Sequence, residues 1–242
     1  MRNFAIIAEL RSGYQMLATS LNSHPKAFCF GEIFGSDREV RKKSLWRQKV
    51  PVIEDSDDPV EYVKVLNEYG VSKGYEAIGF KLNYVCAKGP NWSHLWDHMA
   101  EDGWKFIHLT RSNLLNRLLS QIMAEQENNW SHKVYKSQAT IEPSRLFFST
   151  SQSFFWQKEL REFLHHNEVF ELVYEEVQAN FEKKMSEVQG FLGLDVQQLT
   201  TPMKKQQTRS QSKAIKNYRE LYRHTHEKRP DLIHFFEDAL FL

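Results

Sequence analysis

Residues 4–21 read FAIIAELRSGYQMLATSL, and the order of side chains in this stretch decides the fold. Phe4 to Leu10 is a short apolar run of strand length, Arg11-Ser12-Gly13 breaks it, and Tyr14 to Leu21 is built from good helix formers. The predicted order is strand, tight turn, helix. The pattern recurs down the chain. Ala77 to Val85 (AIGFKLNYV) and Trp104 to Thr110 (WKFIHLT) are further apolar runs with the look of buried strands, the second leading directly into a helical stretch, Asn113 to Gln126. Val169 to Tyr174 (VFELVY) is a fourth run, followed by the helical EEVQANFEKKMSEVQGFLG, which Gly190 or Gly193 would end. Strands alternating with helices predict an α/β sandwich of three layers, a central parallel sheet covered on both faces.

The chain has 242 residues, 41% of them hydrophobic, which is enough for one core, and a single domain over 1–242 is expected. Lys and Arg total 32 against 31 Asp and Glu, so the formal net charge is +1. No global field exists to hold nucleic acid or an anionic membrane, and any anion site must be local. Cys29 and Cys86 lie far apart with no C-x-x-C spacing, which argues against a disulfide framework or a thiolate zinc site and fits a reducing cytoplasm. The first apolar run is broken by Glu9, too early for a signal peptide, and no stretch approaches the about eighteen apolar residues of a membrane span. The expectation is a cytoplasmic protein. The charged segment 36–58 reads as a surface excursion, either plain solvated loop and helix or a mobile cover over an active site. The terminal PDLIHFFEDALFL reads as a docked helix, and oligomeric state is open, with a homodimer as one option.

Two constellations carry chemistry. Arg11-Ser12-Gly13 lies between a buried strand and a helix start, where backbone N–H groups and the helix dipole make an anion pocket. The turn has one glycine and no Gly-Lys-Ser/Thr ending, which disfavours ATP or GTP, although R-S-G also occurs in ordinary turns. The second is Arg111 at a strand end with Ser120 nine residues later. At about 100° per residue, Leu114, Leu115, Leu118, Leu119 and Ile122 cover one face, and Asn113, Asn116, Arg117 and Ser120 the other. Asn116 and Arg117 read as a solvated polar face, and this placement lets Arg111 and Ser120 both look toward the same edge of the sheet.

The blocks RSGYQMLATSLNSHPKAFCFGEIF (11 to 34), HLTRSNLLNRLLSQ (108 to 121) and VYEEVQANFEKKMSEVQGFLGL (173 to 194) resemble, in order, those of sulfotransferases that use 3'-phosphoadenosine 5'-phosphosulfate (PAPS). The bacterial carbohydrate branch, which includes Nod-factor and trehalose sulfotransferases, is the most similar. The resemblance implies a P-loop NTPase-like fold and a donor that leaves as PAP. It puts the 5'-phosphosulfate on Arg11, Ser12, Gly13, Tyr14 and Gln15, and the 3'-phosphate on Arg111 and Ser120. A late basic loop, KKQQTRS within the region 200–242, would close over the nucleotide through Lys205, Thr208 and Arg209. Many relatives have small hydroxyl residues where this chain has Tyr14 and Gln15. The branch uses a Glu in a block like GEIF as general base, which points to Glu32.

Sulfuryl transfer moves a charge-dispersed group in line between two oxygens, so fixed cations such as Arg11 and backbone N–H groups would stabilise it, with no metal required. The acceptor hydroxyl needs a base within reach. Glu32 follows Phe28-Cys29-Phe30-Gly31, a setting that would strip water from a carboxylate, or it is a surface acid at a strand end. His24 is the rival base, or a satisfied turn histidine. Lys81 in GFKLNY either faces the acceptor or sits at a strand edge. His94 and His98 have metal-ligand spacing but lack a third ligand. Phe147, Phe148, Phe154, Phe155 and Trp156 would stack a sugar or form core or interface. The predicted function is PAPS-dependent transfer to a hydroxyl of a carbohydrate or other small polar acceptor. The alternatives are a PAP-binding protein without transfer and, lower, a small-molecule kinase.

Overall fold

A computed structural model describes residues 1–45, 50–88, 90–130 and 133–237. The elements in chain order are β1 (Arg2–Ala8), α1 (Tyr14–Leu21), β2 (Ala27–Phe30), α2 (Arg38–Leu45), α3 (Pro59–Lys73), β3 (Ala77–Leu82), α4 (His94–Glu101), β4 (Lys105–Thr110), α5 (Leu114–Glu127), α6 (Pro143–Phe163), β5 (Val169–Val173), α7 (Tyr174–Ala179), α8 (Phe181–Phe191), α9 (Gln211–Ala214) and α10 (Tyr218–Lys228). The chain groups into two compact units, Met1–Thr110 with Leu160–Pro202 and Arg111–Glu159 with Met203–Leu242.

The first unit holds one sheet of five parallel strands in the order β2-β3-β1-β4-β5. Side chains alternate across it. Phe4, Ile6, Ala8, Ile107, Leu109 and Leu172 face α1 and α8 and pack on Leu17, Leu21, Met185, Val188 and Leu192. On the opposite face Phe80 packs on Phe34 and Trp104, with ring centroids 4.9 and 5.1 Å apart. This is the expected α/β sandwich. From β1 the chain crosses one way to β2, and from β4 it crosses the other way to β5. In an open parallel sheet such a reversal leaves a crevice at the carboxyl ends of the strands, where ligands bind.

Local signals explain the elements. Asp58 caps α3 by accepting from the N–H groups of Val60 and Glu61, Pro59 opens it, and Gly74 closes it with φ 71°. Four of the five strands coincide with the apolar runs, each within a few residues. β2 is an addition, a four-residue strand too short to stand out. The long helix expected after β5 is two, because Asn180 leaves the helical region at φ −141° and ψ 58°; Gly193 ends the second with φ 67°. The charged stretch 36–58 is anchored at several points. Arg41 is buried, donating to the Gly35 carbonyl and to Asp55 and lying over Trp92, and Leu45 and Ile53 are buried beside it. Its residues 46–49 lie outside the described ones.

In the second unit, Leu115, Leu118, Leu119 and Ile122 of α5 join Leu146, Leu221, Leu232 and Phe235 in a second core. The terminal segment expected as an α-helix is a 3-10 turn, Pro230–Phe235, with residues 238–242 outside the described ones. Asn116 and Arg117 correct the solvated-face reading. Arg117 is buried, donating to Ser149 and Gln121, and Asn116 donates to Glu237 and accepts from Gln211. A helical wheel gives the angle of a side chain, and other segments of the unit cover this face as well as the leucine face.

Candidate active site

The carboxyl ends of β1, β2 and β3 bring four side chains of the first unit together. Tyr14, the first residue of α1, donates its hydroxyl to Glu32 Oε1 at 2.5 Å. Lys81 Nζ, from β3, donates to Gln15 Oε1 at 2.5 Å, stands 3.7 Å from Glu32 Oε1, and lies 4.4 Å from the centre of the Tyr14 ring. Lys81 is only 4% exposed and sits on an interior strand between β2 and β1, so the strand-edge reading does not hold. The side-chain contacts of Tyr14 and Lys81 with Glu32 both meet Oε1. Among the described residues no hydrogen bond engages Oε2.

Electrostatics follow from burial. Desolvation pulls the Lys81 ammonium below its ordinary pKa of 10.5, with the Glu32 charge acting against it. The Tyr14 hydroxyl is held well above its ordinary value, by burial first and then by the Glu32 carboxylate, so Tyr14 stays a donor at neutral pH. Cys29 and Cys86 are free and buried, and desolvation pushes them up to about 12 and about 11; both remain neutral thiols.

The turn before α1 has the shape of an anion cradle. Gly13 is the N-cap at φ 91°, and Arg11 also holds a left-handed φ of 68°. That conformation costs a non-glycine residue about 1–2 kcal/mol. Met16 and Leu17 both donate to the Gly13 carbonyl. Among the described residues no backbone bond takes the amides of Gly13, Tyr14 or Gln15, which leaves three N–H groups at the positive end of a helix. Ser12 is buried, its N–H donating to the Glu9 carbonyl.

No protein-family model matches the chain. Nodulation protein H of Rhizobium meliloti is 25% identical over 248 residues, covering 92% of this chain and 91% of that protein. A sulfotransferase from Alicyclobacillus acidocaldarius superposes with a TM-score of 0.58 at 15% identity, over 100% of this chain and 99% of that one. The chain has the sulfotransferase fold and is similar in sequence to nodulation protein H. A mouse sulfotransferase in complex with PAP has a TM-score of 0.49 at 18% identity, over 81% of this chain and 60% of that one.

The remaining candidate residues fall in two groups. In the first unit, His24 is buried with both ring nitrogens engaged, Nε2 with the Asp195 carbonyl and Nδ1 accepting from the Lys26 N–H. His94 contacts Asp58, and among the described residues no cluster of three metal-ligating side chains is present. In the second unit, Arg111 precedes α5, and Ser120 is a buried residue on it. Lys205 and Thr208 are exposed, whereas Arg209 donates to the carbonyls of Lys136 and Ser137 and pins its loop to them. The aromatic group divides. Phe147 stacks on His224, with centroids 6.0 Å apart, while Phe148, Phe154 and Phe155 are exposed.

Sequence reasoning missed the contacts that define the cluster. Tyr14 and Gln15 stood out only as departures from a pattern, and their partners lie 18 and 66 positions away. The one signal on the chain was the pair of buried-strand polar residues, Glu32 after AFCF and Lys81 within AIGFKL, each calling for a partner.

Proposed function

We propose that the chain transfers the sulfuryl group of PAPS to a hydroxyl of a carbohydrate or another small polar acceptor, with Glu32 as general base. The observation that carries this reading is the one-sided carboxylate of Glu32. Its Oε1 is fixed by Tyr14 and Lys81, and its Oε2 is left to receive a proton. His24, with both nitrogens engaged, is not placed for that task.

The residues of the turn fit the donor. Three amides, Arg11 and a helix N-terminus suit a phosphosulfate, and no acidic side chain lies between Arg11 and Gln15 to oppose it. Bound PAPS supplies the group to be moved, and PAP is the leaving group. Arg11 and the amides of Gly13, Tyr14 and Gln15 would stabilise charge on the oxygens that flank the migrating sulfur. Glu32 takes the acceptor proton as the new O–S bond forms and the old S–O bond breaks, the electron pair of that bond staying with PAP. Lys81 supplies positive charge beside the reacting centre, and Gln15 holds it in place. Arg111 and Ser120 are assigned the 3'-phosphate, and Lys205, Thr208 and Arg209 the cover of the nucleotide.

The test is transfer of label from PAPS radiolabelled in its sulfuryl group to a panel of mono- and oligosaccharides. Labelled sugar supports the reading. PAP binding with no transfer to any hydroxyl acceptor would support a binding protein instead. Tyr14→Phe refines the test, since it keeps the ring under Lys81 and removes the hydrogen bond to Glu32. A hydrogen bond to a charged group contributes about 1.5–3 kcal/mol, so kcat should fall about 10–100-fold. The KM for PAPS should change less than about 3-fold, because binding in the ground state is untouched. Steady-state kinetics with both substrates varied would read this split.

A further inference from the structure

Helix α6 carries large apolar side chains on its water-facing side. Its inward face interleaves Leu146 and Leu160 with Ser149, Thr150 and Ser153, all at most 9% exposed, whereas Phe148, Phe154 and Phe155 stand in solvent at 66%, 47% and 58% exposure. The hydroxyls are satisfied at home. Thr150 donates to the Leu146 carbonyl, Ser153 to the Ser149 carbonyl, and Ser149 accepts from Arg117. A water-facing helix whose apolar arc points outward needs a cover for that arc. The exposed residues Ser144, Phe148, Ser151 and Phe155 follow a 4-3-4 spacing, which is that of a helix-pairing seam.

We infer that this face of α6 is the contact surface of a homodimer, in which α6 packs antiparallel on α6 of a second copy across a two-fold axis near residues 149 and 150. The seam alternates small and large residues. In that register Phe148 faces Ser151 of the second copy and Phe155 faces its Ser144, so both seam rings enter the space over a serine. A two-fold axis demands such self-complementarity. A phenylalanine presents about 150–250 Å². The two seam rings at their observed exposures therefore offer roughly 250 Å², about a third of the about 800 Å² per partner of a standard interface. The flanking polar residues of a helix this long supply the rim.

Sedimentation velocity from about 1 to about 100 µM tests the inference, the range in which an interface of modest area associates. The wild type should dimerise. Phe148→Glu with Phe155→Glu should weaken the dimer about 100-fold or more, two charged groups replacing two central rings, with an unchanged circular dichroism spectrum. Should that double variant not fold, single cysteines decide the matter. Chains carrying Phe148→Cys mixed with chains carrying Ser151→Cys should form a disulfide-linked dimer faster than either alone, since Cys29 and Cys86 are buried. A wild type that stays monomeric over the whole range, a dimer indifferent to the glutamates, or cysteine mixtures that do not cross-link would each overturn the inference.

Discussion

Glu32→Gln is expected to lower turnover about 10²–10⁴-fold, the range that removal of a general base commands. The substitution conserves volume and leaves the surrounding geometry intact. Tyr14 and Lys81 both present donors to the Oε1 side, so they would hold the amide oxygen of the new side chain there and turn its NH₂ toward the acceptor. An amide NH₂ cannot take a proton from a hydroxyl. PAP affinity should therefore stay within about 3-fold of the wild type while transfer is lost, the signature of an interaction made only in the transition state. Single-turnover transfer and calorimetric titration with PAP, run on the same preparation, read the two quantities. Undiminished turnover would move the base elsewhere on the chain.

Gly13→Ala is expected to carry the second large effect, on stability and donor binding together. At φ 91° a side chain is strained whatever the space available, and here a Cβ would stand 2.4 Å from the Tyr174 ring. Left-handed strain costs about 1–2 kcal/mol and overpacking against a buried ring about 1–3 kcal/mol more. The variant should unfold at a denaturant midpoint corresponding to about 2–5 kcal/mol less stability. In what remains folded, the amides of Gly13, Tyr14 and Gln15 would be displaced, and PAP affinity should drop at least about 10-fold through the loss of aligned donors. Urea melts monitored by circular dichroism, with and without PAP, separate the two effects. A variant as stable as the wild type would show that the turn relaxes around the methyl group.

The sequence carried the sheet because four strands are apolar runs bounded by turn residues, and periodicity reports such runs directly. β2 escaped because AFCF is four residues long, and α6 escaped because its phenylalanines point outward and its serines inward. Its buried side interleaves Leu146 and Leu160 with Ser149, Thr150 and Ser153, which leaves no continuous apolar stripe to read. The same limit applied to Arg117. Its position on the wheel was right, but Ser149, which receives its guanidinium, lies 32 residues further along. At the candidate site, residue types were legible one by one: an acid after a short apolar run, a lysine within a buried strand, a lone glycine at a helix start. Which oxygen of Glu32 is engaged and which is left over is a matter of distances between β1, β2 and β3, and a single chain of letters contains none.

Calorimetric titration with PAP, with AMP and ATP as controls and the Arg111→Ala variant alongside, tests the central claim most directly. Tight binding that requires the 3'-phosphate and collapses in the variant is the predicted result. Binding of ATP instead, or of no nucleotide, would contradict the account of this chain as a PAPS-dependent sulfotransferase.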